Sequence, residues 1–162
     1  MHSTIFQIAT QPIQPDEYVG IDNIEAGEMA SIFYAREAEK SERAERIKIL
    51  VGRILPAGMF VVSPDGETLI YKGGFTEWNR IYTESLLEKA SVINETNVFK
   101  YIGPTYQLQK AIVNPLDTDS LFVTTFYGSS GTAERSRELM RLIGGLQIGA
   151  RLYVGAIFDY HF

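Results

Sequence analysis

The sequence predicts an α+β fold of one domain over residues 1–162: a mainly antiparallel sheet with helices packed on one face. Three stretches carry that expectation. In MFVVSPDGETLIYK (Met59–Lys72) two apolar runs flank a Pro-Asp-Gly turn, the mark of a hairpin. Trp78, Tyr82, Leu86, Ala90 and Ile93 form one helical stripe, broadened by Ile81. The last segment, ARLYVGAIFDYHF, alternates so that Leu152, Val154, Ala156, Phe158, Tyr160 and Phe162 share a strand face.

Ser3–Thr10 alternates Thr4, Phe6 and Ile8 against Ile5, Gln7 and Ala9 and predicts the first strand. Pro12 and Pro15 stop it and open a loop to about Gly27. From there to Ile54 the pattern predicts helix. Ala44, Ile47, Val51 and Ile54 lie on one face, and Glu39→Arg43 and Glu42→Arg46 are i,i+4 pairs in the favourable order. Pro56 ends this segment. In the hairpin, Pro64 suits the second position of a type I turn and Gly66 the left-handed position after it. Gly73-Gly74 breaks the second strand, and Thr76 caps the Trp78 helix.

Between Asn94 and Asn114 two assignments stand. Val98–Ile102 fits a strand without excluding helix, and Thr105–Val113 a strand or a short helix after Pro104. Leu121–Phe126 predicts a strand and Thr132–Ile143 a helix with Leu139, Leu142, Ile143 and Leu146 inward, ended by Gly144-Gly145. With Val98–Ile102 counted as a strand, the order becomes β-α-β-β-α-β. That succession suits a ferredoxin-like core with a C-terminal β-α-β extension. Tyr153 and Ile157 add apolar surface to the second face of the final strand, which places it in the core or at a subunit interface.

Composition narrows the function. With 45% apolar and 22% charged residues the chain is globular rather than disordered. A net charge of −5 argues against nucleic acid as a partner. The absence of cysteine removes disulfides, thiolate nucleophiles and Cys-held metals. The first residues lack a basic segment followed by a long apolar one, and no apolar run is long enough for a membrane helix. A soluble cytoplasmic protein without membrane contact is the expectation.

The run YGSSGTAERSRELM (Tyr127–Met140) invites a chemical reading. An apolar strand followed by Gly-Ser-Ser-Gly-Thr and a helix can hold a phosphate on helix N–H groups. Ser129, Ser130, Gly131 and Thr132 would form the cradle and Arg135 would supply charge. The run matches neither the P-loop pattern nor the dinucleotide Gly-x-Gly-x-x-Gly pattern. Its plainer reading is a turn followed by a cap at Thr132, which is the commoner use of such residues.

Other candidates carry less. REAEKSERAERIK (Arg36–Lys48) holds five basic residues nearly neutralised by four glutamates, which makes a solvated helix face or a self-packing surface, not a phosphate grip. Asp117 and Asp119 lack the glycine and distal glutamate of a calcium loop, so no metal is expected, and no cofactor. His2 and His161 both stand beside chain termini, poor places for a catalytic histidine. The aromatic residues, Trp78 and Tyr82 among them, sit at core spacing. No zinc or RNA-binding signature is present.

Two functions follow as expectations. The first is a non-catalytic interaction or regulatory module that self-associates as a homodimer and meets a protein partner. The second is a phosphate- or nucleotide-binding protein, enzymatic or not, that holds a phosphate-containing small molecule at Ser129–Thr132 and Arg135. No catalytic residue stands out among 20 acidic residues and nine tyrosines.

Overall fold

The C-terminal strand is the axis of the fold. The computed structural model describes residues 2–162, for His2 the backbone alone. In chain order the strands are β1 (His2–Ala9), β2 (Ile24–Ala26), β3 (Tyr34–Glu37), β4 (Phe60–Val62), β5 (Thr68–Tyr71), β6 (Leu121–Val123), β7 (Phe126–Tyr127), β8 (Ser130–Ala133) and β9 (Arg151–His161). The helices are α1 (Lys40–Ile49), α2 (Phe75–Ser91), α3 (Pro104–Val113) and α4 (Arg137–Gly144). The fold is α+β, as expected. β9 pairs antiparallel with β1 along one edge; along the other it pairs with β5 near its start and β3 near its end. β4 and the parallel β6 complete a sheet ordered β4-β5-β9-β1-β6. A second, smaller sheet runs β2-β8-β7.

α1 and α4 cover one face of the large sheet. Ile47 of α1, Leu50 beyond it and Leu139, Met140 and Ile143 of α4 are buried against Phe6, Ile8, Phe122, Leu152, Val154 and Ile157. Phe75 and Trp78 of α2 border the same core. On the other face Ile5, Leu121, Val123, Ala156, Phe158 and Tyr160 pack under Val19 and Ala133, so the small sheet and its flanking loop act as the second cover. Burial on both faces is what a central strand requires, and β9 has it.

The single stripe expected on β9 is divided. Leu152 and Val154 face the helical core, whereas Ala156, Phe158 and Tyr160 face the other. The pairs Phe6↔Ile157 and Ile8↔Val154 span two residues on β1 and three on β9. The extra residue is a β-bulge, which reverses the parity of every side chain beyond it.

Three further expectations change. Helix begins at Lys40, not near Gly27, because Tyr34–Glu37 pairs with His161–Phe158 of β9 and Glu39 and Glu42 form a capping box. α1 then passes into a π-helical turn, Leu50–Ile54, closed by the Leu55 N–H on Leu50 O at 2.8 Å. Val98–Ile102 forms turns, and Thr105–Val113 lies in α3 with Pro104 at its first position. In chain order the elements run β1-β2-β3-α1-β4-β5-α2-α3-β6, and Leu121–Val123, not Val98–Ile102, supplies the strand that follows α2 and α3. Thr132 belongs to β8 rather than to a helix, which starts five residues later. At Gly131 an added Cβ would lie 2.5 Å from Val123, so glycine lets β8 close on β6 and continue as strand.

Candidate interaction surface

Between Tyr71 and Val113 no residue is buried. α2 and α3 form a helical hairpin that leaves the body as an arm. Gly74, in the left-handed region at φ 95°, precedes α2, so the helix opens at Phe75 and Thr76 is already inside it. At the base Phe75, Trp78 and Tyr82 stack in succession, with centroids 5.6 and 5.1 Å apart, and the Tyr82 hydroxyl donates to Ala111 O at 3.1 Å. Burial raises the Tyr82 pKa above its usual value, against a smaller lowering by the Arg137 charge, so the phenol stays protonated and able to donate. On the outer face Arg80 bridges Glu77 and Glu84. α2 has 17 residues, a length of about 25 Å, and none of its side chains is buried.

The tip is an ordered loop. Asn97 Oδ1 accepts the Asn94 N–H at 2.9 Å, and Asn97 Nδ2 donates to Val92 O at 2.8 Å, which ends α2. Asn94 Oδ1 accepts the N–H and hydroxyl of Thr96 at 2.9 and 2.7 Å. The Thr105 hydroxyl returns to Val98 O at 3.0 Å, and at Gly103 a Cβ would lie 2.9 Å from Lys100 O. Ile102 sits at φ 52°, a left-handed conformation costly for a β-branched residue.

This bonded, strained loop presents apolar side chains to water. Phe99 is 96% and Tyr101 94% exposed, beside the half-exposed Val92 and Ile102. Single exposed apolar residues are ordinary; a contiguous group of large ones marks an interaction site. The alternation of VFKYI has strand periodicity, which conceals this group in the sequence. Asn94, Asn97 and the Gly103-Pro104 pair were the available signals of a loop running into a helix.

The residues expected to cradle an anion lie elsewhere and apart. Gly128, at φ 54°, and Ser129 form the tip of the β7–β8 hairpin, and Gly20 N–H bonds Ser129 O at 2.7 Å. Ser130, Gly131 and Thr132 line an open cavity of about 600 Å³ with Asp22, Asn23, Glu25 and Tyr127. That lining has two carboxylates and no basic side chain, the reverse of the charge an anion needs. Arg135 is not in it. Its guanidinium donates to Met29 O, Thr118 O and Asp119 O at 3.2–3.4 Å, tying two loops together.

The charged segment Arg36–Lys48 is structural. Arg36 and Arg46 both meet Asp159, at 2.8 and 2.9 Å, and Arg36 also meets Glu42. Arg43 donates to the carbonyls of Val154 and Gly155 and reaches Glu67. Phe60, Tyr71, Phe122, Phe158 and Tyr160 are buried in the two cores, whereas Tyr127 is 93% exposed. Among the described residues no group of three or more His, Asp or Glu is placed to hold a metal, and no helix is long and apolar enough to cross a membrane. No family model, curated protein or solved structure matches the chain.

Proposed function

We propose that this chain is a non-catalytic interaction module that docks a protein surface through the tip of the α2–α3 arm. The observation that carries this reading is the near-complete exposure of Phe99 and Tyr101 on a loop bonded firmly enough to hold a β-branched residue at positive φ. A flexible loop would lose much of its binding energy in becoming ordered, and this one has that order in advance. The charged side chains of the body support the same reading, since Arg36, Arg43, Arg46 and Arg135 are occupied by internal partners.

The test places a photo-crosslinking residue at position 99 and, as a control on the body, at the half-exposed Val61. Each protein is irradiated in extract of the native cells. A discrete adduct is expected from position 99 and not from 61. Excess unlabelled wild type should abolish it, and the Phe99→Ser/Tyr101→Ser variant should not. Equal adducts from both positions, or none from 99, would overturn the proposal.

A further inference from the structure

We infer that the partner of the arm's tip is a second copy of this chain, met across a two-fold axis. The inference rests on the reading of the tip as a docking surface and adds the identity of what docks there. Charge makes the first argument. From Phe75 to Val113 the acids are Glu77, Glu84, Glu88 and Glu95 and the bases Arg80, Lys89, Lys100 and Lys110, so the arm is neutral. The whole chain carries −5, and all of that excess therefore lies outside the arm. Two bodies of like charge repel, and the arms are where two copies approach without that penalty.

The tip is also self-complementary. Its apolar group is flanked by one acid, Glu95, and one base, Lys100, and neither has an ion pair among the described residues. A two-fold axis brings residue i against j and j against i. With Phe99 and Tyr101 packed at the axis, Lys100 of each copy faces Glu95 of the other, which fixes the register at the polar rim. A lipid surface would call for an excess of lysine and arginine around the aromatic residues, and the arm has none.

Exposed apolar area adds a third argument. Phe99 and Tyr101 offer about 300–500 Å² between them. Val92 and Ile102, each about half exposed, extend the patch toward the roughly 800 Å² per partner of a stable interface. Because the two aromatic side chains touch little within their own chain, their replacement leaves the fold intact and isolates their part in association.

Sedimentation equilibrium of the purified chain over a range of micromolar concentrations tests the inference. Wild type is expected to form a dimer. Phe99→Ser/Tyr101→Ser should weaken it by about 30-fold or more, with an unchanged thermal midpoint. Glu95→Lys and Lys100→Glu should each weaken the homodimer by roughly 3–10-fold, and mixing the two variants should restore a heterodimer of wild-type strength. A monomer at every concentration would overturn the inference, as would a dimer indifferent to the aromatic substitutions or a mixture no tighter than either variant alone. A monomer whose position 99 still crosslinks a different protein would leave the docking reading standing and remove the second copy as its partner.

Discussion

The side-chain Oε1 of Gln7 on β1 accepts the backbone N–H of Ala156, in the bulge of β9, at 2.9 Å. Gln7 is 1% exposed, and it makes two further bonds: Oε1 accepts the Val19 N–H at 3.1 Å, and Nε2 donates to Glu17 O at 2.8 Å. A bulge leaves an unpaired donor inside the sheet, and a buried donor without a partner destabilises the fold. One amide side chain therefore completes the central strand and fastens to it the loop that covers the second core.

Replacing Gln7 by Ala removes all three bonds and leaves the Val19 and Ala156 N–H groups without the Gln7 acceptor. Each such group costs about 1–3 kcal/mol, and a total near 3 kcal/mol lowers the midpoint of a chain this size by roughly 6–12 °C. Thermal unfolding followed by circular dichroism measures this directly. A fall of less than a degree would show that water or a shifted backbone replaces the amide.

Gly155 should be intolerant of any side chain for the same reason. A Cβ there would lie 2.5 Å from Gln7 Oε1 and 2.9 Å from Ile13 Cδ1. Gly155→Ala is expected to destabilise by about 1–3 kcal/mol through overpacking. Gln7→Ala removes the atom it strikes, so the double variant should be more stable than the sum of the singles predicts. Denaturant unfolding of the four proteins gives the coupling, and additivity would mean that the clash is relieved elsewhere.

What was legible in the sequence follows the reach of the forces involved. The SPDG hairpin was visible because its turn is built from its own residues, whereas Pro104 only kept helix open as one of two readings of Thr105–Val113. β3 was hidden, since Tyr34–Glu37 is a strand only because the far half of β9 offers an open edge. The bulge at Gly155 was hidden too, as its cause, Gln7, lies at the other end of the chain. GSSGT carried a composition shared by helix caps and hairpin turns, and contacts of Gly131 with Val123 and Phe126 decide between them. The tip was missed because VFKYI has strand periodicity but no neighbouring strand to pair with.

The SPDG turn gives the hairpin an acid-sensitive element. Asp65 accepts the Ser63 hydroxyl at 2.5 Å, the Glu67 and Thr68 N–H groups at 2.8 Å and the Thr68 hydroxyl at 2.8 Å. These bonds, that of Ser63 first, hold its carboxyl well below the usual carboxylate range. A pKa lowered by folding adds stability above the unfolded value of about 3.9, which is lost as pH falls from there through the folded value. Asp65→Ala should therefore cost about 1–2 kcal/mol at neutral pH, toward the lower figure because the side chain is exposed. The gap between wild type and variant should stay constant down to roughly pH 5 and narrow below pH 4. Urea unfolding of both proteins across that range decides it; a gap that widens on acidification would reverse the assignment.

At the arm's tip, stability and association are expected to move in opposite directions. Ile102 holds φ 52° while its side chain is 55% exposed, so the fold bears backbone strain for an apolar group that shields little of its own interior. Asparagine, unbranched at Cβ, accepts the left-handed region with less strain. Ile102→Asn should raise the unfolding free energy by about 1 kcal/mol, a midpoint gain of roughly 2–4 °C. The same change places a polar amide within the apolar patch of Phe99 and Tyr101 and should weaken the proposed self-association. Calorimetry and sedimentation equilibrium on one preparation read both effects. If the midpoint rose while association stayed unchanged, Ile102 would lie outside the contact and its strain would need another cause. If the midpoint fell, the isoleucine side chain would be packing against the arm more than its exposure implies.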